Sequence, residues 1–188
     1  MKSRFFLILV LSFTLFNCNK TVDCDIETTE GIIKIELYPK KAPITVTNFL
    51  NYVDAGLYNN GVFFRVTTPE NEADRDVKIQ VIQGGVRQKN NIEPIEIETT
   101  KKTGLKHLNG TLSMARSTAN SATSSFFICI NNQPELDFKG KRHPDGLGFA
   151  AFGKVTKGMD IVKKINAGKN KNQRLLKPII IKSIKRTN

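Results

Sequence analysis

The chain has 188 residues, of which 39% are hydrophobic and 24% charged, with twelve phenylalanines and no tryptophan. That length suits one compact domain, and the composition excludes wholesale disorder. The formal charge of +12 comes from scattered basic residues with no run of five, which argues against nucleic-acid binding, where they would cluster on one face.

Lys2 and Arg4 precede an apolar run from Phe5 to Phe16, broken only by Ser12 and Thr14. A membrane-spanning helix needs about 20 apolar residues, so the run is too short for that and fits the core of a signal peptide. Leu15-Phe16-Asn17-Cys18 resembles the lipobox of bacterial lipoproteins, with Asn17 standing where a small residue is usual. The resemblance implies a signal peptide over 1–17, a lipidated Cys18 with a tether over 18–24, and one domain over 25–188. Several acyl chains anchor stably where one alone does not. The expected location is the cell envelope, lipid-anchored in the outer membrane and facing the periplasm; Asn19 follows Cys18, so no Asp is there to signal inner-membrane retention. The basic stretch 163–186 suits an anionic membrane surface. The competing reading is a secreted protein cleaved nearby, with Cys18 a bystander. Of the other cysteines, Cys129 lies in an apolar run and reads as a buried small hydrophobe. A Cys24–Cys129 disulfide is open in an oxidising compartment. No spacing suits zinc, so no metal is expected.

Along the mature chain, 25–29 and 32–37 flank Glu30-Gly31, and Ile33, Ile35 and Leu37 alternate with Lys34 and Glu36. This predicts a hairpin with one buried face. Pro43 suits the first turn of a helix, and Val46, Phe49, Leu50 and Val53 form its apolar stripe, with Gly56 placed to end it. A strand is predicted over 62–66, then a polar loop over 67–78 carrying six charged residues, then a strand over 79–82 ended by Gly84-Gly85. Residues 92–98 alternate again. Strands over 111–115 and 126–130 enclose a small-polar loop at 117–125, and 131–148 reads as a long Pro/Gly loop. The chain closes with a strand at 149–155, a short helix at 159–165, a basic loop at 169–177 and a strand at 179–184. Many short strands with two isolated helices predict a mostly β chain, a closed barrel or sandwich capped by helices.

Five collinear segments carry a family resemblance: Phe63-Phe64-Arg65-Val66, Val81-Ile82-Gln83-Gly84-Gly85, Gly110-Thr111-Leu112-Ser113-Met114-Ala115, Ser125-Phe126-Phe127-Ile128-Cys129, and Phe149 to Val155 followed by Gly158-Met159. In this order they resemble the cyclophilins over roughly residues 25–186. The resemblance implies a closed eight-stranded antiparallel barrel capped by two helices. It also implies peptidyl-prolyl cis-trans isomerase activity, with no cofactor. Proline-containing polypeptides would be its clients, and a monomer is expected.

The chemistry needs no nucleophile. Amide resonance sets a rotation barrier of about 18–20 kcal/mol at an X-Pro bond. As the bond twists, the nitrogen lone pair becomes basic, and a fixed donor beside it in a dry seat stabilises the twisted state. By resemblance Arg65 is the catalytic cation, always charged and with several donors in a fixed fork. By the same resemblance Phe127 is the floor of the proline seat; Phe126 and Phe127 on one strand face opposite sides, so one can line a pocket while the other is core. Gln83 binds substrate backbone and positions Arg65. Phe64, Gln80, Val81, Leu136 and Phe149 match site or pocket-lining positions, and Ala115 and Arg116 match the edge that pairs with the substrate.

Several residues depart from the family pattern. Gln80 stands where a pocket phenylalanine is usual, Val81 where methionine is common, Ser125 where a glutamine faces substrate, Arg116 where asparagine is found, and Glu135 where many members have a cyclosporin-contacting tryptophan. They leave open a binding module or chaperone of the same fold with little catalysis. The 67–78 loop, longer than the family's tight turn, reads either as a tolerated surface insertion or as an acidic docking loop beside the groove. His107 and His143 read as loop or surface residues.

Overall fold

The computed structural model describes residues 21–88 and 92–188. The expected signal peptide, Cys18 and the first residues of the tether lie outside the described residues.

The predicted N-terminal hairpin is formed by β1 (Val22–Thr28) and β2 (Gly31–Leu37), beginning three residues earlier than the alternation alone indicates. Cys24, Ile26, Ile33, Ile35 and Leu37 fill its inner face. Helix α1 (Pro43–Asp54) starts at proline, and its N-cap Ala42 offers no side-chain bond. The buried Glu98 carboxylate takes that role from a distant loop, accepting from the Ile44 N–H at 3.2 Å, the Thr45 N–H at 2.8 Å and the Thr45 hydroxyl at 2.7 Å. An anion at the positive end of a helix is stabilising there.

The remaining strands are β3 (Gly61–Thr67), β4 (Val81–Gly85), β5 (Thr111–Met114), β6 (Phe126–Cys129), β7 (Ala150–Lys157), β8 (Asn170–Lys171) and β9 (Arg174–Arg186). They pair antiparallel in the order β1-β2-β7-β5-β6-β4-β3-β9, and β9 pairs back onto β1, from Cys24↔Arg186 to Thr28↔Ile181. This closes an eight-stranded barrel, and closure removes sheet edges. Inside, Phe63, Ile82, Leu112, Phe126, Ile128 and Phe152 are fully buried. Phe49 of α1 lies 5.2 Å from Tyr58, 5.4 Å from Phe126 and 5.2 Å from Phe152, centroid to centroid. Each such ring contributes roughly 1.5–3 kcal/mol of burial. Helix α1 packs on β7 and β9, and α3 (Met159–Asn166) on β2, β3 and β4.

Three expectations are corrected. Residues 92–98 form a single bridge, Ile95↔Ala122, and no strand, because Pro94 removes a ladder donor and Ile97 N–H turns to the Asn120 side chain at 2.9 Å. A third helix, the single turn α2 (Thr100–Thr103), joins the two expected; Thr99 caps it by accepting from Lys102 N–H. The basic stretch 169–177 is a hairpin of β8 and β9 and no loop. Asn172 (φ 49°) and Gln173 (φ 68°) make its two-residue turn, the form that matches the twist of paired strands.

Candidate active site

The side of the barrel on which Arg65 stands is decided by a bulge. Phe63 pairs with Gly84 and Arg65 with Gln83, so Phe64 is an extra residue between them. Without it, residues 63 and 65 would share a face, since side chains alternate. With it, Phe63 points into the core and Arg65 onto the outer surface, re-aimed as bulges do. Gly84 allows this, because a Cβ there would lie 2.7 Å from Phe63 Cδ1.

Arg65 opposes Gln83, Gln83 opposes Phe127, and Phe127 opposes Ser113. Directly opposed residues share a face, so one row crosses four strands on the outer surface. The Arg65 guanidinium donates through Nη1 to Gln83 Oε1 at 2.8 Å, and through Nε and Nη2 to Gln173 Oε1 at 2.9 and 2.6 Å. Three of its five N–H groups are thereby fixed. Burial, reinforced by Arg142, lowers its pKa, while Glu72 opposes the shift; an arginine remains charged regardless.

Phe127 belongs to a small apolar cluster separate from the barrel core, with Ile79, Val81, Cys129 and Leu136, and with Ala115 and Phe149 packed against it. Phe149 meets Phe127 edge-on at 5.6 Å. Phe126, by contrast, is wholly in the core, as the alternation requires. Arg116 clamps the rim: it donates to Gly148 O at 2.8 Å, grips Asp145 with two bonds of 2.7 Å, and lies 5.3 Å over the Phe149 ring. The hydrogen bonds from Arg116 hold the Asp145 carboxyl well below the usual carboxylate range.

Some expected site residues are placed elsewhere. Gln80 turns away from the cluster and bonds Asn166 Oδ1 (3.0 Å) and Asn131 Nδ2 (3.2 Å); Ile79 supplies the apolar wall instead. Phe64, the bulge residue, lies under Arg174 at 5.1 Å and outside the cluster. Ser125 packs beside Gly85, where a glycine Cβ would come within 3.0 Å of its hydroxyl, and its carbonyl accepts from Ala115 N–H at 2.8 Å. That bond leaves Ala115 N–H unavailable to a substrate. Cys24 and Cys129 are free, buried thiols, so the open disulfide is not formed.

His107 is buried, contrary to its expected surface position. Its Nδ1 lies 2.8 Å from Asp137 Oδ1 and its Nε2 2.9 Å from Ser113 Oγ, and its ring stacks on Phe127 at 6.0 Å. The Ser-His-Asp order mimics an acyl-transfer triad, but Ser113 is 0% and His107 1% exposed, so no acyl substrate reaches the hydroxyl. The set is a prop beneath the Phe127 ring. His143 stays at the surface with Asp145, 2.9 Å away. The 67–78 segment is no plain surface insertion: Glu72 is 2% exposed and bonded inward, while Asp74, Arg75 and Asp76 remain exposed.

The sequence model of the family described as cyclophilin type peptidyl-prolyl cis-trans isomerase/CLD matches residues 23–186. The chain belongs to the cyclophilin-type peptidyl-prolyl cis-trans isomerases. It is 36% identical over 193 residues to peptidyl-prolyl cis-trans isomerase A of Dickeya dadantii (strain 3937), covering 95% of this chain and 93% of that protein. To peptidyl-prolyl cis-trans isomerase B of Escherichia coli (strain K12) it is 41% identical over 144 residues, covering 73% and 80%. A solved cyclophilin type isomerase of Cryptosporidium parvum shares the fold with a TM-score of 0.72 at 24% identity, over 90% of this chain and 99% of that one. The structure of the Cryptosporidium protein in the presence of the dipeptide Ala-Pro gives 0.70 at 25% identity, over 88% and 99%. This cyclophilin is thus an enzyme that turns X-Pro bonds in proline-containing polypeptides.

Proposed function

We propose that Arg65 carries the isomerisation, with Phe127, Val81, Leu136 and Phe149 seating the proline ring. The observation behind this is the Arg65–Gln83–Phe127 row, which sets a cation and an apolar seat on one outer surface. Two Arg65 N–H groups have no partner among the described residues. In the proposed step, one donates to the prolyl nitrogen as the bond twists and its lone pair leaves conjugation. The charge needs no reorganisation at that moment, because Gln83 and Gln173 already hold the fork. Arg116, pinned to Asp145 and Gly148, keeps Phe149 upright against the seat.

The substituted positions motivated a non-catalytic binder as the alternative. Ile79 in place of Gln80 in the wall favours the enzyme reading, since the seat stays apolar. A proline-switch peptide assay on the wild type and on Arg65→Ala tests it: a large loss of rate supports catalysis by Arg65, and equal rates would return the protein to the binding role.

The enzyme's place is proposed to be the cell envelope, as a monomer held to the outer membrane through lipid on Cys18 and serving the folding of periplasm-facing clients. The support is the apolar leader, the Leu15–Cys18 pattern and the basic surface. Labelled fatty acid incorporated by the wild type and not by Cys18→Ser is the expected result. Incorporation by both would remove the anchor from Cys18.

A further inference from the structure

We propose that Glu72, in the long β3–β4 connection, is a positioning residue for the isomerase reaction, acting through Gln173 to hold the Arg65 guanidinium. The inference rests on the reading of Arg65 as the catalytic cation.

The Gln173 amide lies between a cation and an anion. Its oxygen accepts twice from Arg65, at 2.9 and 2.6 Å, and its Nε2 donates to Glu72 Oε1 at 3.2 Å. Only one amide orientation satisfies both neighbours, since a guanidinium only donates and a carboxylate only accepts. A flipped amide would set NH2 against guanidinium and oxygen against carboxylate. The Glu72 charge therefore selects the orientation that fixes Arg65.

Glu72 is itself held on several sides. Its Oε2 accepts from Ile79 N–H and from Arg142 Nη1, both at 2.9 Å. Arg142 Nη2 donates to Oε1, and Arg142 Nη1 also reaches Val77 O at 2.6 Å. Arg75 Nε lies 3.8 Å from Oε1. A carboxylate that is 2% exposed and bonded in this way has little freedom. Its negative charge also opposes the repulsion that Arg142 exerts on Arg65.

A second observation is independent of these bonds. Gln173 stands at φ 68° in the β8–β9 turn, where glycine is the favoured residue after asparagine. A longer side chain there strains the backbone. Its carbonyl, which accepts from Val66 N–H at 2.8 Å, would be served equally by glycine. What only glutamine adds is the amide between Arg65 and Glu72. Strain kept at a turn for a side chain aimed at the site is the mark of a functional contact.

The test uses the full chain with Gln173→Gly, Glu72→Gln and the double variant, measuring kcat/KM, the thermal midpoint and the Arg65 side-chain 15Nε–1Hε resonance. Arg65→Lys assigns that resonance by its loss. Gln173→Gly is expected to keep or raise the midpoint while kcat/KM falls by up to about 10²-fold, the scale of misplacing a catalytic group by about 1 Å. Its Arg65 resonance should broaden and exchange with water. Glu72→Gln should lower kcat/KM similarly, and the double variant should be no worse than Gln173→Gly alone. Should Glu72→Gln fail to fold, Gln173→Gly decides. Unchanged kcat/KM and an unchanged Arg65 resonance in Gln173→Gly would overturn the proposal, as would fully multiplicative losses in the double variant. Full turnover by Arg65→Ala would instead remove the catalytic reading, and the resonance alone would then decide whether Glu72 and Gln173 hold Arg65.

Discussion

Arg65 and Phe127 stand in one cross-strand row on the outer face of the barrel, with Gln83 between them in register with both. A one-residue slip in β3 would send Arg65 into the core, and the bulge at Phe64 is what prevents it. The placement of a cation beside an apolar seat is thus a property of backbone register, set by where the sheet accepts an extra residue.

Gly84→Ala tests that register. The new methyl would sit 2.7 Å from Phe63 Cδ1 and 2.9 Å from Val62 O, and backbone cannot yield easily. A loss of about 1–3 kcal/mol in denaturant unfolding is expected, as for overpacking generally, with a further fall in turnover as β3 shifts. A variant as stable and active as the wild type would show that the strand pair has slack.

The neighbouring rings Phe126 and Phe127 should give opposite phenotypes. Phe126 packs among Phe49, Tyr58 and Phe63, so Phe126→Ala should cost about 3–5 kcal/mol of stability. Phe127 packs in the smaller outer cluster, so Phe127→Ala should cost less stability and more activity, chiefly as a raised KM for proline peptides. Chemical denaturation and steady-state rates on both variants check the contrast.

Acid should loosen the prop beneath the seat. Burial lowers the His107 pKa against the opposing pull of Asp137. Below the ordinary histidine value of about 6.5 the unfolded chain takes up a proton that the folded ring refuses. Stability is then fully present above that value and falls as pH drops toward the folded pKa. Burial raises the Asp137 carboxyl, but the hydrogen bonds from His107 together with the His107 and Lys106 charges bring it below its ordinary value, so its contribution is present above the normal carboxylate range and is lost in stronger acid. Thermal midpoints should decline between pH 7 and 5, and His107→Gln should flatten that decline. A flat wild-type profile would refute the assignment.

Both described thiols should be inert in the folded protein. Burial pushes Cys24 up to about 12 and raises Cys129 as well, and the thiolate is the reactive form. A thiol reagent added to residues 19–188 at pH 8 should react only as fast as the chain unfolds.

The strands and the first helix were legible from short-range pattern, the alternation in 32–37 and the helical stripe of Val46 to Val53, which left barrel and sandwich both open; the closed barrel and the grouping of Arg65, Gln83 and Phe127 came from the resemblance of five collinear segments to the cyclophilins. Contacts spanning large sequence separations were not legible. His107 reads as a surface residue until Asp137 and Ser113 close around it. Glu72 reads as one acid among several until Arg142, 70 residues away, and Gln173, 101 away, bury it. Gln80 matched a pocket position by alignment, but the longer loop before it lets Ile79 take the wall. Residues 92–98 alternate like a strand, yet Pro94 and the Asn120 side chain divert their backbone bonds.

The most direct test separates binding from turnover at the proposed centre. Two-dimensional exchange NMR on an Ala-Pro peptide gives the cis–trans exchange rate at catalytic enzyme concentration, and peptide shift changes give affinity. Arg65→Ala should lower enzyme-driven exchange by about 10²–10³-fold, the scale of losing one preorganised donor, while the peptide still binds at the Phe127 seat. Exchange persisting at the wild-type rate in the folded variant would contradict the account.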